Sequence, residues 1–304
     1  MVKVKFFSLC LTLLAATTAF SGPDFSKVQI KTIKVSSHVH MLQGFGGNIA
    51  VSAGEDGILM VDDQFRELSG KIKSAIAKIS QKKIKFLINT HWHFDHTGGN
   101  VDFGDEALIV AHENVRQRLS KDQYIALFDK KVPKTPKEGL PVVTFPDSLK
   151  IHFNNDEISL IHLPNGHTDG DSAIYFKKAN VVHLGDHFFV GKFPFVDLGA
   201  GGSVSGYVKN LDAMIKRLPK DVKIIPGHGP LATMKDLLVF KSMIEKTQKY
   251  IADKMAKNVS LADIRKEGLP LEWKGYGDGF IKENVWIGIV YESLKLDAKK
   301  TKSS

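Results

Sequence analysis

Residues 90–100 read Thr90-His91-Trp92-His93-Phe94-Asp95-His96-Thr97-Gly98-Gly99-Asn100 and follow directly on Ile84 to Ile88, an apolar run with the length of a buried strand. Four potential metal ligands fall within six residues. In extended backbone His91, His93 and Asp95 share one side, because side chains alternate along a strand. A turn at Asp95-His96 then directs successive residues toward two neighbouring points. His91 and His93 would hold one ion, and Asp95 and His96 a second one. Imidazole and carboxylate are suitable zinc ligands, and paired metals about 3.5–4 Å apart are a known hydrolytic arrangement. Histidines also collect on plain polar surfaces, but this spacing, with Gly98-Gly99 after it, weighs against a merely structural loop.

The rest of the chain narrows which metal chemistry is available. The only cysteine is Cys10. It lies in a leader-like N-terminus, where Lys3 and Lys5 precede the apolar run Phe6 to Ala16, and small residues follow up to Gly22. That is the layout of a secretory signal peptide, assigned to residues 1–21, and the run is short for a membrane span. The mature chain would then lack cysteine altogether. It would have no disulfide and no thiolate ligand, so a metal must be held by histidine and carboxylate. The implied location is the periplasm or the exterior, with no membrane association after cleavage. The formal net charge is +9, but lysine pairs such as Lys82-Lys83, Lys130-Lys131 and Lys177-Lys178 are scattered. This is the pattern of a solvated basic surface rather than a nucleic-acid face. The expected partner is a small-molecule substrate.

Strand and helix signals alternate in both halves. Val28 to Val35, His38 to Leu42, Ile49 to Ser52 and Ile58 to Val61 are predicted strands separated by glycine-rich turns, which reads as two hairpins. Leu68, Ile72, Ile76 and Ile79 fall at helical spacing over Arg66 to Ile79. Leu108 to Ala111 is a strand, and a helix begins at Glu113. Lys130 to Pro146 carries four prolines and reads as an irregular excursion, a surface connection or a lid. Strands at 149–153, 158–163, 172–176, 181–184 and 222–225 follow, with helices at 205–218, 234–255, 261–267 and 281–294. Strand-then-helix order in each half predicts an α/β fold, a four-layer αββα sandwich. Residues 22–240 would form the main domain, and 241–304 a helical extension packed on it.

Here the chain resembles the metallo-β-lactamase superfamily, whose signature is His-x-His-x-Asp-His. The likeness runs from about Val28 to Leu238. His167, in Pro164-Asn165-Gly166-His167, matches the family's next histidine; Asp186, in Leu184-Gly185-Asp186-His187, matches its bridging aspartate; His228, in Pro226-Gly227-His228-Gly229, matches its last histidine. Each station ends a predicted strand. The resemblance implies two Zn2+ ions per chain, one on His91, His93 and His167, the other on Asp95, His96 and His228. Asp186 would bridge them, with a water or hydroxide between the ions. It further implies that Asp95, besides ligating, orients the hydroxide and passes its proton to the leaving group, as the catalytic residue.

Departures from individual branches sort the activities. Asp186 together with His96 is nearer to glyoxalase-type thioesterases than to lactamases that carry cysteine at the Asp186 station. His187-Phe188-Phe189-Val190-Gly191-Lys192 departs from the pattern that follows this aspartate in glyoxalase II. His93 argues against the redox diiron branch, which carries glutamate there, while a one-iron persulfide dioxygenase has a similar signature. Gly44 to Asn48 resembles the hairpin that covers the pocket of lactamase-like members. The implied function is a zinc hydrolase that uses a metal-bridging hydroxide to cleave a carbonyl–heteroatom bond in a β-lactam, lactone, ester or thioester. The alternatives are a glyoxalase II-like hydroxyacyl thioester hydrolase and, from another class, a periplasmic metal-binding or relay protein without turnover.

The remaining candidates are lesser ones. Asp62 is expected to orient a ligand histidine, and Asp169 and Asp171 to order the His167 loop. His183 and His187 are candidates for orienting ligands or touching substrate. Phe45 and Trp92 are candidate pocket walls. Lys192 is a candidate contact for an anionic substrate group. His38, His40, His112, His152 and His162 read as ordinary polar or core histidines.

Overall fold

A computed structural model describes residues 24–303; the predicted leader at residues 1–21 lies outside them. Lys31–Lys34 (β1), Val39–Gln43 (β2), Ile49–Gly54 (β3) and Gly57–Val61 (β4) pair antiparallel in sequence order. A 3₁₀ turn at Arg66–Leu68 leads into the helix Ser69–Ile79 (α1), which returns the chain to Ile84–Ile88 (β5), parallel to β4. Two short helices, Phe94–Thr97 (α2) and Asn100–Gly104 (α3), precede Leu108–His112 (β6) and Glu113–Leu119 (α4). Gln123–Ile125 (β7) and Lys130–Val132 (β8) form a separate two-stranded hairpin, and Val143–Phe145 (β9) closes the first sheet in the order β1-β2-β3-β4-β5-β6-β9. The second sheet holds Ser148–Phe153 (β10), Asp156–His162 (β11), Ser172–Phe176 (β12), Val181–His183 (β13), Lys223–Ile225 (β14) and Ala232–Thr233 (β15) in that order. Val204–Arg217 (α5) crosses between β13 and β14. Met234–Ala256 (α6), Leu261–Glu267 (α7) and Glu283–Ser303 (α8) complete the chain.

Period-two alternation on buried strands creates the layers. Along β4, Leu59 and Val61 point into the space between the sheets, while Ile58 and Met60 point outward against Ile72, Ala75 and Ile76 of α1. The inter-sheet core pairs these residues with Ile158, Leu160, Ile174 and Phe176 of the second sheet. The outer face of that sheet, through Ala173, Val182 and Ile224, packs on Tyr207 and Leu211 of α5, Phe240 and Ile244 of α6, and Trp286 of α8. The order helix, sheet, sheet, helix is the predicted αββα sandwich.

Two readings need correction. The proline-rich excursion is not wholly irregular: it holds β8, a 3₁₀ turn at Lys137–Gly139 and β9. The last helix runs to Ser303 rather than stopping near 294. Among the described residues, no helix is long and apolar enough to cross a membrane.

Parallel pairing fixes where the chemistry gathers. β4, β5, β6 and β9 are mutually parallel neighbours, as are β13 and β14. The loops leaving the carboxyl ends of β4, β5, β13 and β14 therefore open on one side of the molecule, and they carry Asp62, the 90–100 stretch, Asp186 and His228.

Candidate metal centre

Thr90, His91 and Trp92 leave β5 without regular structure, and the chain turns at Phe94 into α2. The turn thus comes one residue earlier than expected, so Asp95 is helical rather than extended. His167 sits in the loop between β11 and β12, Asp186 in a 3₁₀ turn after β13, and His228 after β14. The structure brings all seven predicted ligands together in two adjoining groups. His91, His93, His167 and Asp186 form one, and Asp95, His96 and His228 the other, with the ligand atoms of each group within 4.8 Å of one another.

Asp186 joins the groups. Its Oδ2 lies 3.8 Å from His91 Nε2 and 3.5 Å from His167 Nε2, while its Oδ1 lies 3.0 Å from His96 Nε2 and 3.3 Å from His228 Nε2. Asp95 Oδ2 lies 3.5 Å from His228 Nε2 and 3.8 Å from His96 Nε2. Close approach of backbone makes room for this. A Cβ on Gly227 would lie 2.1 Å from Asp186 Oδ1, and one on Gly47 would lie 2.1 Å from the His96 ring. No other residue type fits either position without displacing a ligand.

Hydrogen bonds on the far side of each ring decide which nitrogen faces inward. Thr90 Oγ1 donates to Asp62 Oδ2 at 2.7 Å and receives His91 Nδ1–H at 3.0 Å. His96 Nδ1–H donates to the same Asp62 oxygen at 2.7 Å. His93 Nε2–H donates to Asp197 Oδ2 at 3.1 Å, and His167 Nδ1–H to the carbonyl of Phe195 at 2.7 Å. Each ring thereby turns its other nitrogen toward the centre, the tautomer being inferred from its partner. Burial pushes His167 down to about 4 and, with the neighbouring His96, pushes His91 well below the usual imidazole range. Both rings are then neutral near pH 7, the form that ligates. Burial works against the Asp186 carboxylate, yet His228 and His96, whose own pKa values the neighbouring carboxylates raise, hold it well below the usual carboxylate range.

These residues fit a metal. His91 Nε2 and Asp186 Oδ1 are buried atoms without a hydrogen-bond partner, although His96 approaches Asp186 Oδ1 closely at an angle unsuited to a bond. His93 Nδ1 and His167 Nε2 face each other at 2.8 Å with their other nitrogens already committed to acceptors. Two facing lone pairs repel unless a cation lies between them, and buried polar groups without partners are costly. A donor set of imidazoles and carboxylates without sulfur suits zinc, with iron or manganese as chemical alternatives.

The surroundings separate the lesser candidates. Asp62 holds His96 directly and His91 through Thr90. Asp171 accepts from Thr168 N and Oγ1 at 2.7 and 2.6 Å, and Asp169 pairs with Arg118, so both order the loop of His167. His183 bonds Asn48 O and receives Gly185 N, bracing the Asp186 turn rather than meeting substrate. His187 stacks on Tyr207 and bonds Asn210, also away from the opening. Trp92 is not a pocket wall: it is 2% exposed and packed among Val115, Leu184 and Phe188, because its neighbours His91 and His93 point the other way. Phe45 does stand exposed at the rim, against Phe25 and Phe65. His38 pairs with Asp156, and His112 stacks on His162 with ring centroids 3.7 Å apart, both remote from the ligands.

Sequence reasoning missed Asp197. Its signal was a single carboxylate set among apolar residues, Phe195-Val196-Asp197-Leu198, a place where an acid survives only if paired. It also missed Tyr207 of α5, whose buried hydroxyl donates to the backbone carbonyl of Asp186 at 2.6 Å.

An αββα sandwich with paired His/Asp groups at the carboxyl ends of its parallel strands defines a metallohydrolase-type scaffold. The family model of the metallo-β-lactamase superfamily matches residues 44–228, a span that contains every ligand named above. The chain belongs to that superfamily. It is 25% identical over 175 residues to human acyl-coenzyme A thioesterase MBLAC2, covering 53% of this chain and 62% of that one. It is 28% identical over 163 residues to hydroxyacylglutathione hydrolase of Pelagibacter ubique, covering 51% and 57%. The chain thus spans about three fifths of the length of these curated relatives. Among solved structures, the metallo-β-lactamase from Pontibacter korlensis shares the fold with a TM-score of 0.58 at 18% identity, over 71% of this chain and 99% of that one. The sec-alkylsulfatase Pisa1 from Pseudomonas sp. does so with a TM-score of 0.62 at 14% identity, over 86% and 50%.

Proposed function

We propose that this protein is a dizinc hydrolase of carbonyl–heteroatom bonds, with acyl thioesters and esters as its first candidate substrates and lactones and β-lactams after them. The observation that carries the reading is Asp186, whose two oxygens face the two groups separately, one of them buried without a hydrogen-bond partner. The names of the thioesterase and hydroxyacylglutathione hydrolase relatives support placing thioesters first.

His91, His93 and His167 would hold one ion and Asp95, His96 and His228 the other, with Asp186 between them. Zinc there would acidify water toward neutral pH and polarise the substrate carbonyl. The protein's own contribution is orientation. Asp62, Thr90, Asp197 and the Phe195 carbonyl lock four rings, so no ligand needs to reorganise when charge develops. Asp95 and His228 are the more exposed ligands, with side chains 22% and 31% exposed, so substrate enters over them. Asp95 turns Oδ2 toward His228 and leaves Oδ1 to take a proton from the attacking water and return it to the leaving group. Phe189 stacks on His228 and Phe195 on His93, giving the entry apolar walls that exclude water. The leader-like residues 1–21 would export the chain, and the mass of the mature protein decides whether they are removed.

The test is a panel of nitrocefin, a lactone, an aryl ester and an acyl thioester on zinc-loaded protein. Turnover lost on chelation and restored by zinc is expected. Two bound equivalents of metal with no turnover on any of them would favour a metal-binding protein instead. Asp95→Ala should abolish activity with the fold retained, and a normal rate in that variant would remove the role assigned to Asp95.

A further inference from the structure

The opening of the centre lies on the Asp95 and His228 side, and a cation stands on its rim. Lys130 Nζ sits 3.3 Å from the centroid of the Phe94 ring. Phe94 lies between the ligands His93 and Asp95 in sequence and opens the α2 turn. Its ring continues an aromatic wall: Phe94 meets Phe65 at 5.7 Å, and Phe65 meets Phe45 at 5.6 Å. Lys130 is presented by the β7–β8 hairpin, which also sets Phe128 against Phe195 at 5.0 Å, and Phe195 in turn stacks on His93. The hairpin therefore borders the centre at two points, one aromatic and one cationic.

Among the described residues, the Lys130 ammonium enters no ion pair or hydrogen bond and rests on the face of Phe94, while its backbone pairs with Ile125. Of the arginines that precede the hairpin, Arg118 is committed to Asp169 and Arg116 donates to the carbonyl of Pro141. Burial lowers the Lys130 ammonium below the usual lysine range, while Asp95 and Glu67 pull the other way, which places its charge in the field of the ligand cluster. Asp95 belongs to the second ligand group, so it cannot swing out to neutralise Lys130 without leaving it. A ring face attracts a cation only weakly compared with a carboxylate or phosphate. The exposed ammonium is thus held over an apolar ring at the mouth of the centre, with no carboxylate paired to it directly.

We propose that Lys130 is a specificity-determining residue that binds an anionic oxygen group of the substrate, a carboxylate or phosphate set apart from the scissile carbonyl. This rests on the hydrolase reading given above, and it assigns to the β7–β8 hairpin the side of the entry where that anion lies. The substrate is then an acyl compound with an apolar portion against Phe94 and Phe65 and a negative charge at the hairpin.

The test compares p-nitrophenyl butyrate with mono-p-nitrophenyl glutarate on zinc-loaded wild type, Lys130→Gln and Lys130→Arg. Losing a charge-assisted contact predicts a KM for the glutarate ester raised about tenfold in Lys130→Gln, with kcat within about twofold. The butyrate ester should be unaffected, Lys130→Arg should recover most of the loss, and high salt should erase the difference. An equal change on both esters, or none on either, would overturn the proposal. If the wild type cleaves neither ester, the hydrolase reading suffers but Lys130 is still decided by calorimetry with glutarate and butyrate. A preference for glutarate in wild type that disappears in Lys130→Gln supports the proposal; the same preference in both proteins overturns it. Unchanged melting of Lys130→Gln separates this role from mere anchoring of the hairpin on Phe94.

Discussion

The Asp62 carboxylate stands 2.7 Å from His96 Nδ1, with both side chains fully buried. The same oxygen takes the hydroxyl of Thr90, which in turn receives His91, so one carboxylate sets the inward nitrogen of a ring in each ligand group. Asp62→Asn should therefore weaken metal binding at both positions, by about 10–100-fold for lost orientation of a ligand. Thr90→Val should affect only the position held by His91. Competition with a coloured chelator measures both, and unchanged affinity in Asp62→Asn would refute the shared role.

Asp197 acts on the other side of the centre. Asp197→Asn removes the carboxylate acceptor from His93 Nε2 at a contact of 3.1 Å. A loss of about 10–100-fold in affinity is expected at the position shared by His91, His93 and His167, with the other position little changed. Equal loss at both positions would show that the substitution disturbs the centre as a whole.

Gly227→Ala should fold and yet lose metal. Its added methyl would approach Asp186 Oδ1 to 2.1 Å and the backbone carbonyl of Gly185 to 2.6 Å. Overpacking of this kind costs about 1–3 kcal/mol, and the carboxylate is the group free to yield. Metal stoichiometry by elemental analysis, together with the urea midpoint, tests this; full metal content would contradict it.

The stacked pair His112 and His162 predicts a pH effect away from the centre. Burial and then His112 lower the pKa of His162, while His112 donates from Nε2 to Pro146 O and accepts Asn114 N–H at Nδ1. A depressed folded pKa means that the unfolded chain takes up the proton first. The stability contribution is complete above about 6.5 and is lost as pH falls toward the folded value. His162→Phe keeps a ring in the stack, so its urea midpoint should fall less than that of wild type between pH 7.5 and pH 5. Parallel curves would show that His162 does not titrate in this way.

The αββα order and the ligand stations were legible because each ligand sits in a short motif directly after a strand, and strands announce themselves by apolar runs such as Ile84 to Ile88. What could not be read depends on distant contacts. Asp197 is an isolated acid until the chain brings it to His93. Trp92 looks like a wall from its neighbours, yet alternation between two inward histidines sends it into the core. β7 and β8 are only three residues each, too short for a periodic signal, and β8 runs into Pro133, so the strand that carries Lys130 stayed hidden in a segment read as irregular. Tyr207 shows helical periodicity, but nothing in its own segment says that its hydroxyl reaches Asp186.

His91, His93, Asp95 and His96 hang from the first sheet, whereas His167, Asp186 and His228 hang from the second, and the two are joined by the core that Val61 and Ile88 share with Ile174 and Ile225. The spacing between the sheets is thus a gauge for the centre. Trimming a methyl-rich side chain deep in that seam, one that touches no ligand, would let the two sets of ligands drift relative to each other, so substitution at Ile174 would be felt first as metal affinity.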